Sequence, residues 1–164
     1  MTAIIESRPR IPRLAMVFIA AVVVMLLTAP KAGAWSATTD DGYAVSQKTG
    51  SADVTLTGYT GSETTLNLPA SVTVDGTIYH VTAIDGDAFK NFKNTSIIQA
   101  VNIPECYQSI GLSAFEGFTG LTSITIPGSL EVLSSYSFEG CTALQTVNFA
   151  ADTASTLTIN LKSF

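Results

Sequence analysis

Four phenylalanines, Phe89, Phe115, Phe138 and Phe164, close four similar hexapeptides and recur at nearly even intervals, the middle interval three residues shorter than the two that flank it. The hexapeptides are Ile84-Asp-Gly-Asp-Ala-Phe89, Ile110-Gly-Leu-Ser-Ala-Phe115, Leu133-Ser-Ser-Tyr-Ser-Phe138 and Ile159-Asn-Leu-Lys-Ser-Phe164. The intervening stretches repeat as well. Phe118-Thr-Gly-Leu121-Thr-Ser-Ile124-Thr-Ile126-Pro127 aligns with Cys141-Thr-Ala-Leu144-Gln-Thr-Val147-Asn-Phe149. Both align with Phe92 and Ile98-Gln-Ala-Val101-Asn-Ile103-Pro104 once three residues are inserted before Ile98. A second three-residue insertion, after Phe149, accounts for the other long spacing. Small insertions of this kind belong at surface turns, and self-similarity at this period is the mark of stacked units.

The pattern of one unit dictates how it folds. Alternation such as Val101-Asn-Ile103 or Ile124-Thr-Ile126 is that of a short half-buried strand. Pro104 and Pro127 have no ladder donor and end their strands. The Ala-Phe or Ser-Phe pair then turns the chain, and a single helical or 3₁₀ turn with the ring inward is expected there. One unit cannot bury its apolar face alone. Stacking gives a continuous core with Phe89, Phe115, Phe138 and Phe164 as one column and Phe92, Phe118 and Cys141 as a second.

These residues resemble the BspA-like leucine-rich-repeat family, whose units read roughly L-x-x-I-x-I-P, a spacer, then I-G-x-x-A-F-x-x-C/F. The stretch from Leu121 through Pro127 to Phe138-Glu-Gly-Cys141 is a near-complete instance. Leu66-Asn-Leu68-Pro69 through Asp75-Gly76 to Ile84 is similar to the family's opening unit, in which an Asp-Gly hairpin turn interrupts the repeat. The resemblance runs from about Tyr43 to Phe164. It implies an α/β solenoid of the leucine-rich-repeat kind, a right-handed coil with short strands on one face and short helical turns opposite. Ahead of it, Tyr43-Ala-Val-Ser46 and Asp53-Val-Thr-Leu-Thr57 read as a β-hairpin able to cap the first coil. The expected organisation is therefore a signal peptide over 1–34, an N-terminal β cap over 35–65 and about four repeats over 66–164. The last repeat stops in mid-unit, and its open end is a candidate surface for self-association.

Charge is unevenly placed along the chain. Arg8, Arg10, Arg13 and Lys31 precede residue 35, against Glu6 alone; the rest carries four lysines and twelve carboxylates, a net charge of −8. The basic stretch leads into an unbroken apolar run, Leu14 to Leu27, followed by Pro30 and Ala32-Gly33-Ala34. That order is the one of a secretory signal peptide cleaved after Ala34. The rival is an uncleaved anchor, but the run from Leu14 to Ala29 is shorter than the ~20 residues that span a bilayer. The expected location is outside the cytoplasm, secreted or at the cell surface, with no stable membrane span after cleavage. A surface of net −8 repels phosphate backbones, so nucleic acid is a poor partner.

Little in the chain carries chemistry. His80 is the single histidine and lies in the hairpin as a solvent-facing strand residue; with two cysteines it makes too few ligands for zinc. Asp85-Gly-Asp87 is not part of the repeating design and reads as a solvated turn, since calcium takes six to eight oxygens. Asp40-Asp41 reads the same way, in a mobile segment after the cleavage point. Cys141 takes a core position filled elsewhere by Phe, while Cys106 aligns with Ser129, which argues against their pairing. Asn94-Thr95-Ser96 is a glycosylation sequon, meaningful only in a source with the machinery. No serine elbow or phosphate loop is present, so neither a catalytic group nor a cofactor is expected.

The surface remains. Strand residues between the buried ones, Asn67, Ala100, Asn102, Ser123, Thr125, Thr146 and Asn148, form an uncharged ladder on the sheet face, where solenoids bind. Its bland alternative is a solvated face that keeps the strands soluble. Tyr43, Tyr59, Tyr79, Tyr107 and Tyr136 are candidate contact anchors. The resemblance implies a non-enzymatic interaction module with an extracellular protein ligand, such as a host matrix protein, and a role in adhesion. Two other readings are a structural capping fragment of a longer repeat protein and a carbohydrate-binding accessory. Four rungs at ~4.8 Å and strands of roughly 15 Å give a face of about 300 Å², against ~800 Å² per partner in a stable interface.

Overall fold

The computed structural model describes residues 33–90, 92–150 and 157–164. The leader expected over 1–34 thus lies almost entirely outside the described residues. Twelve strands make up the described fold: β1 (Trp35–Thr38), β2 (Tyr43–Gln47), β3 (Val54–Tyr59), β4 (Thr65–Asn67), β5 (Ser71–Val74), β6 (Thr77–Ile84), β7 (Ala100–Asn102), β8 (Ser109–Ile110), β9 (Ser123–Ile126), β10 (Val132–Leu133), β11 (Thr146–Phe149) and β12 (Thr158–Ile159). They form two sheets. Sheet A runs β1-β2-β3-β6-β8-β10-β12, with β5 attached to β6, and sheet B runs β4-β7-β9-β11. From β6 onward each coil adds one parallel strand to each sheet. The result is a β-solenoid of about four turns.

Register keeps equivalent residues in line. Ile84 pairs with Ile110, Ile110 with Leu133 and Leu133 with Ile159. The phenylalanine column follows: successive rings from Phe89 to Phe164 stack at 5.0, 5.2 and 5.4 Å, tilted by only 13°, 7° and 4°. The second column also forms, with Phe92 and Phe118 stacked at 6.2 Å and Cys141 buried in the next coil. Phe118 meets Phe115 edge-on at 5.4 Å and joins the two columns. Such near-parallel stacks are worth roughly 0.5–1.5 kcal/mol per pair beyond the area they bury.

The turns opposite sheet B are not helical; the described residues contain no helix. The cause is a further column, of left-handed residues, that the sequence hides. Asp87, Ser113, Tyr136 and Lys162, each two residues before a column phenylalanine, have φ of 56°, 54°, 61° and 55°. A left-handed residue breaks a right-handed helix. Alternate N–H groups in these turns also bond outward, to the next coil, instead of back along the chain. Asp87 and Phe89 donate to the carbonyls of Leu112 and Ala114, Ser113 and Phe115 to those of Ser135 and Ser137, and Tyr136 and Phe138 to those of Lys162 and Ser163. Only isolated three-residue closures remain, such as Phe118 N–H to the Phe115 carbonyl. These intercoil bonds stand in place of the intrahelical ones that a helical turn would have.

The N-terminal part extends sheet A with antiparallel strands. β1 pairs with β2 and β2 with β3, and β3 then runs parallel to β6. The hairpin of Tyr43–Ser46 with Asp53–Thr57 therefore forms, and β1 is a strand beyond those the sequence pattern announces. Asp40 and Asp41 sit in the tight turn joining β1 to β2, closed by Thr39 N–H on the Tyr43 carbonyl, and are not a loose segment. The Asp75-Gly76 turn closes the β5–β6 hairpin at Val74 and Thr77, with φ of 50° and 77°. Positive φ at both central residues is what a two-residue hairpin loop of type I′ requires.

Candidate functional site

Sheet B places all seven residues of the expected ladder on four adjacent strands: Asn67 on β4, Ala100 and Asn102 on β7, Ser123 and Thr125 on β9, Thr146 and Asn148 on β11. All are exposed except Ala100, which is half-buried. The pleat explains this. Leu66, Val101 and Ile124 point into the core, so their neighbours on each strand face solvent. Cross-strand register sets Asn67 beside Asn102, Ala100 beside Ser123, Ser123 beside Thr146 and Thr125 beside Asn148. The side chains of the first pair are joined, Asn102 Nδ2 donating to Asn67 Oδ1 at 2.6 Å.

A third polar row, outside the expected ladder, flanks it. Gln99, Thr122 and Gln145 stand one residue ahead of β7, β9 and β11 and are exposed. Backbone bonds link them in series, Thr122 N–H to the Gln99 carbonyl and Gln145 N–H to that of Thr122. Their even spacing along the chain is the signal in the sequence, but it lies ahead of the alternating stretches and so escapes a search for alternation.

The first strand of the face is fastened from behind. Tyr43 on β2 donates its hydroxyl to the Asn67 carbonyl. Burial, then the nearby charges of Asp41 and Glu63, push its phenol up to about 12, so it remains a donor at neutral pH. Tyr107 donates to the Pro69 carbonyl at 2.8 Å, and burial raises its phenol too. These two tyrosines and Tyr79 are core residues, so three of the five expected anchors are corrected to structural roles. Tyr59 and Tyr136 are half-buried; Tyr59 stacks on Tyr43 at 4.6 Å, and Lys162 lies 5.8 Å over the Tyr136 ring.

The remaining candidates stay apart from this face. His80 is exposed on β6, and Asp87 pairs with Lys90 at 3.1 Å in an exposed turn. Among the described residues no cluster of three His, Cys, Asp or Glu side chains could hold a metal ion. Both cysteines are free. Cys141 donates its thiol to the Phe115 carbonyl at 3.4 Å, and burial raises it to about 11, which makes it a poor nucleophile at neutral pH. Cys106 is half-buried against the Val81 carbonyl, and burial raises its thiol also. No helix of the described residues is long and apolar enough to cross a membrane.

Comparison with known proteins bears on this arrangement. A leucine-rich-repeat protein of Bacteroides ovatus is similar at 27% identity and a TM-score of 0.57, over 65% of this chain and 28% of that one. A leucine-rich cell-surface protein of Faecalibacterium prausnitzii is similar at 21% identity and a TM-score of 0.50, over 76% and 44%. The pneumococcal vaccine antigen PcpA shares the fold at 15% identity and a TM-score of 0.52, over 76% and 40%. The matched part thus spans less than half the length of each of these three. No curated protein sequence matches the chain. The family described as "BspA type Leucine rich repeat region" matches residues 82–164 in six copies, half of the chain, and the protein belongs to that family.

Proposed function

We propose that this chain is a secreted or surface-displayed, non-enzymatic module that recognises an extracellular protein through sheet B, in adhesion or matrix recognition. The observation that carries this reading is the uncharged row of exposed amide and hydroxyl groups from Asn67 to Asn148. A face without ionisable groups binds through hydrogen bonds and shape and loses little affinity with salt. Family membership, and the likeness in fold to the leucine-rich cell-surface protein of Faecalibacterium prausnitzii, support the location. The domain division carries over into this reading: a leader over 1–34 directs export, and the strands before residue 65 cover the first coil.

Strands of three or four residues are roughly 10–13 Å long, so the face is no larger than about 300 Å². One copy should therefore bind a protein ligand no more tightly than about micromolar. The test is surface plasmon resonance of the chain over immobilised matrix proteins and glycans, repeated with Asn102→Ala, Thr125→Ala and Asn148→Ala combined. Weak retention on a protein surface, lost in the triple variant, is expected. Retention unchanged in that variant would sink the reading, and retention on glycans alone would replace it with the carbohydrate-binding one.

A second reading has its own observation. Phe149, Ile159, Leu161 and Phe164 are 48%, 49%, 77% and 48% exposed at the last coil. An apolar surface of this kind suits stacking against further coils of a longer array, or against a second copy. Concentration-dependent mass in sedimentation, abolished by Leu161→Lys, would favour self-association.

A further inference from the structure

Among the described residues, two strands at the N-terminal end use only one edge each. β1 pairs with β2 alone, and β5 pairs with β6 alone. Between them lies a groove of about 590 Å³, walled by residues 37–41 on one side and 71–76 on the other. The two walls are held by an aromatic contact: Trp35 of β1 packs edge-on against Tyr79 at 5.0 Å, and Tyr79 is the cross-strand partner of Val72. The hairpin closes at Val74 and Thr77, so Val72 and Val74 exchange the ladder bonds with β6. The backbone groups of Ser71 and Thr73 therefore point to the other edge, into the groove. An edge of unpaired N–H and C=O groups is a template for another strand. The charge on its walls has one sign: Asp40, Asp41 and Asp75 line the groove, with no lysine or arginine among the described residues that line it.

We propose that this groove takes an extended peptide segment bearing lysine or arginine, which adds as a strand to the open edge of β5 with its cations reaching Asp40 and Asp41. Main-chain bonds to Ser71 and Thr73 would supply affinity, and the carboxylates would select for positive side chains on alternate positions. This site is separate from sheet B and does not depend on how that face is used.

The test is fluorescence anisotropy of the full chain with three labelled heptapeptides: one alternating valine and lysine, the same peptide N-methylated at alternate backbone nitrogens, and one alternating valine and glutamate. The lysine peptide should bind saturably and weaken as salt is raised. N-methylation should weaken it by about tenfold or more, the loss of one or two backbone bonds, and the glutamate peptide should not saturate. Asp40→Asn with Asp41→Asn, at exposed turn positions, should raise Kd by about threefold to tenfold. Thr73→Pro, which removes an outward donor only, should abolish binding. Equal binding of the N-methylated peptide would mean charge attraction alone and overturn strand addition. Equal binding of the glutamate peptide, or none of the lysine peptide at about 1 mM, would overturn the proposal as a whole. The N-methylated peptide leaves the protein unaltered, so the test holds even if Thr73→Pro disturbs the hairpin.

Discussion

The phenylalanine column and the face of sheet B are built by the same coils, yet they repeat in opposite ways. In the column the residue is constant, and from Phe89 to Phe138 its burial is too, while Phe164 in the last coil is about half exposed: the rings lie 5.0, 5.2 and 5.4 Å from one another in turn and nearly parallel. On the face only the backbone repeats, while the side chain changes from asparagine to alanine, serine or threonine. The difference teaches which constraint acts where. A ring packed between neighbours above and below is costly to replace by another shape, although the second column takes Cys141 in a phenylalanine's place. An outward strand residue has water on one side, so it is free to vary, and variation is what recognition requires.

That contrast can be broken by experiment. Phe115, fully buried between two stacked rings, should show the largest effect: Phe115→Ala is expected to cost about 3–5 kcal/mol in urea unfolding. A loss below about 1 kcal/mol would mean that the column does not hold the coils together. Next is the Cys141 position in the second column. Its thiol is raised by burial from 9.0 to about 11, so the unfolded chain ionises first as pH rises. The stability this group contributes is complete below about pH 9 and is lost as pH climbs to about 11. Urea midpoints across that window should fall in the wild type and fall less in Cys141→Ala; parallel curves would refute the burial. A smaller effect, of opposite sign, is expected at Ser113, whose φ of 54° suits glycine. Ser113→Gly should raise stability by about 0.5 kcal/mol, the relief of a left-handed residue less the entropy glycine loses on folding. A lower Tm would show that the serine is held there by something worth more. Smallest of all, Thr125→Ala on the face should change stability by no more than about 0.5 kcal/mol. A change as large as that of Phe115→Ala would erase the distinction between column and face.

Much of the coil was legible in the sequence because its signals are local and repeated. Ile124-Thr-Ile126 announces a strand with one face in, and β9 has that burial alternation. Asp75-Gly76 announces a two-residue hairpin, and β5–β6 is closed by it. What was not legible has a common physical origin. Left-handed positions are usually betrayed by glycine or asparagine, but here they carry Asp, Ser, Tyr and Lys, and the strain at Asp87, Ser113 and Tyr136 is offset by bonds to the next coil. Those same bonds make an extended turn where a helical one is expected, since no local pattern tells whether an N–H will bond within its own coil or to the next. The strand β1 is hidden because Trp35-Ser-Ala-Thr38 is too short to show a period. On the candidate face the alternation places all seven residues, whereas it says nothing reliable about the tyrosines. Whether a tyrosine is an anchor or a core residue depends on what its hydroxyl meets, such as the Pro69 carbonyl for Tyr107.

The uneven repeat length has a practical consequence. The stretch from Phe89 to Phe115 is three residues longer than that from Phe115 to Phe138. The ring spacings across them are nonetheless nearly equal, 5.0 and 5.2 Å. The extra residues before Ile98 are taken up in a turn closed by Ile97 and Ile98 on the Asn94 carbonyl, outside the column. Pitch and contour length are thus uncoupled: the coil keeps step while its loops lengthen. Doubling such a loop should cost only about 0.6 kcal/mol. The turn at residues 94–97 is therefore a place to graft a foreign epitope beside sheet B, provided the graft spares the bond from Gly120 N–H to the Thr95 carbonyl that ties the turn to the next coil.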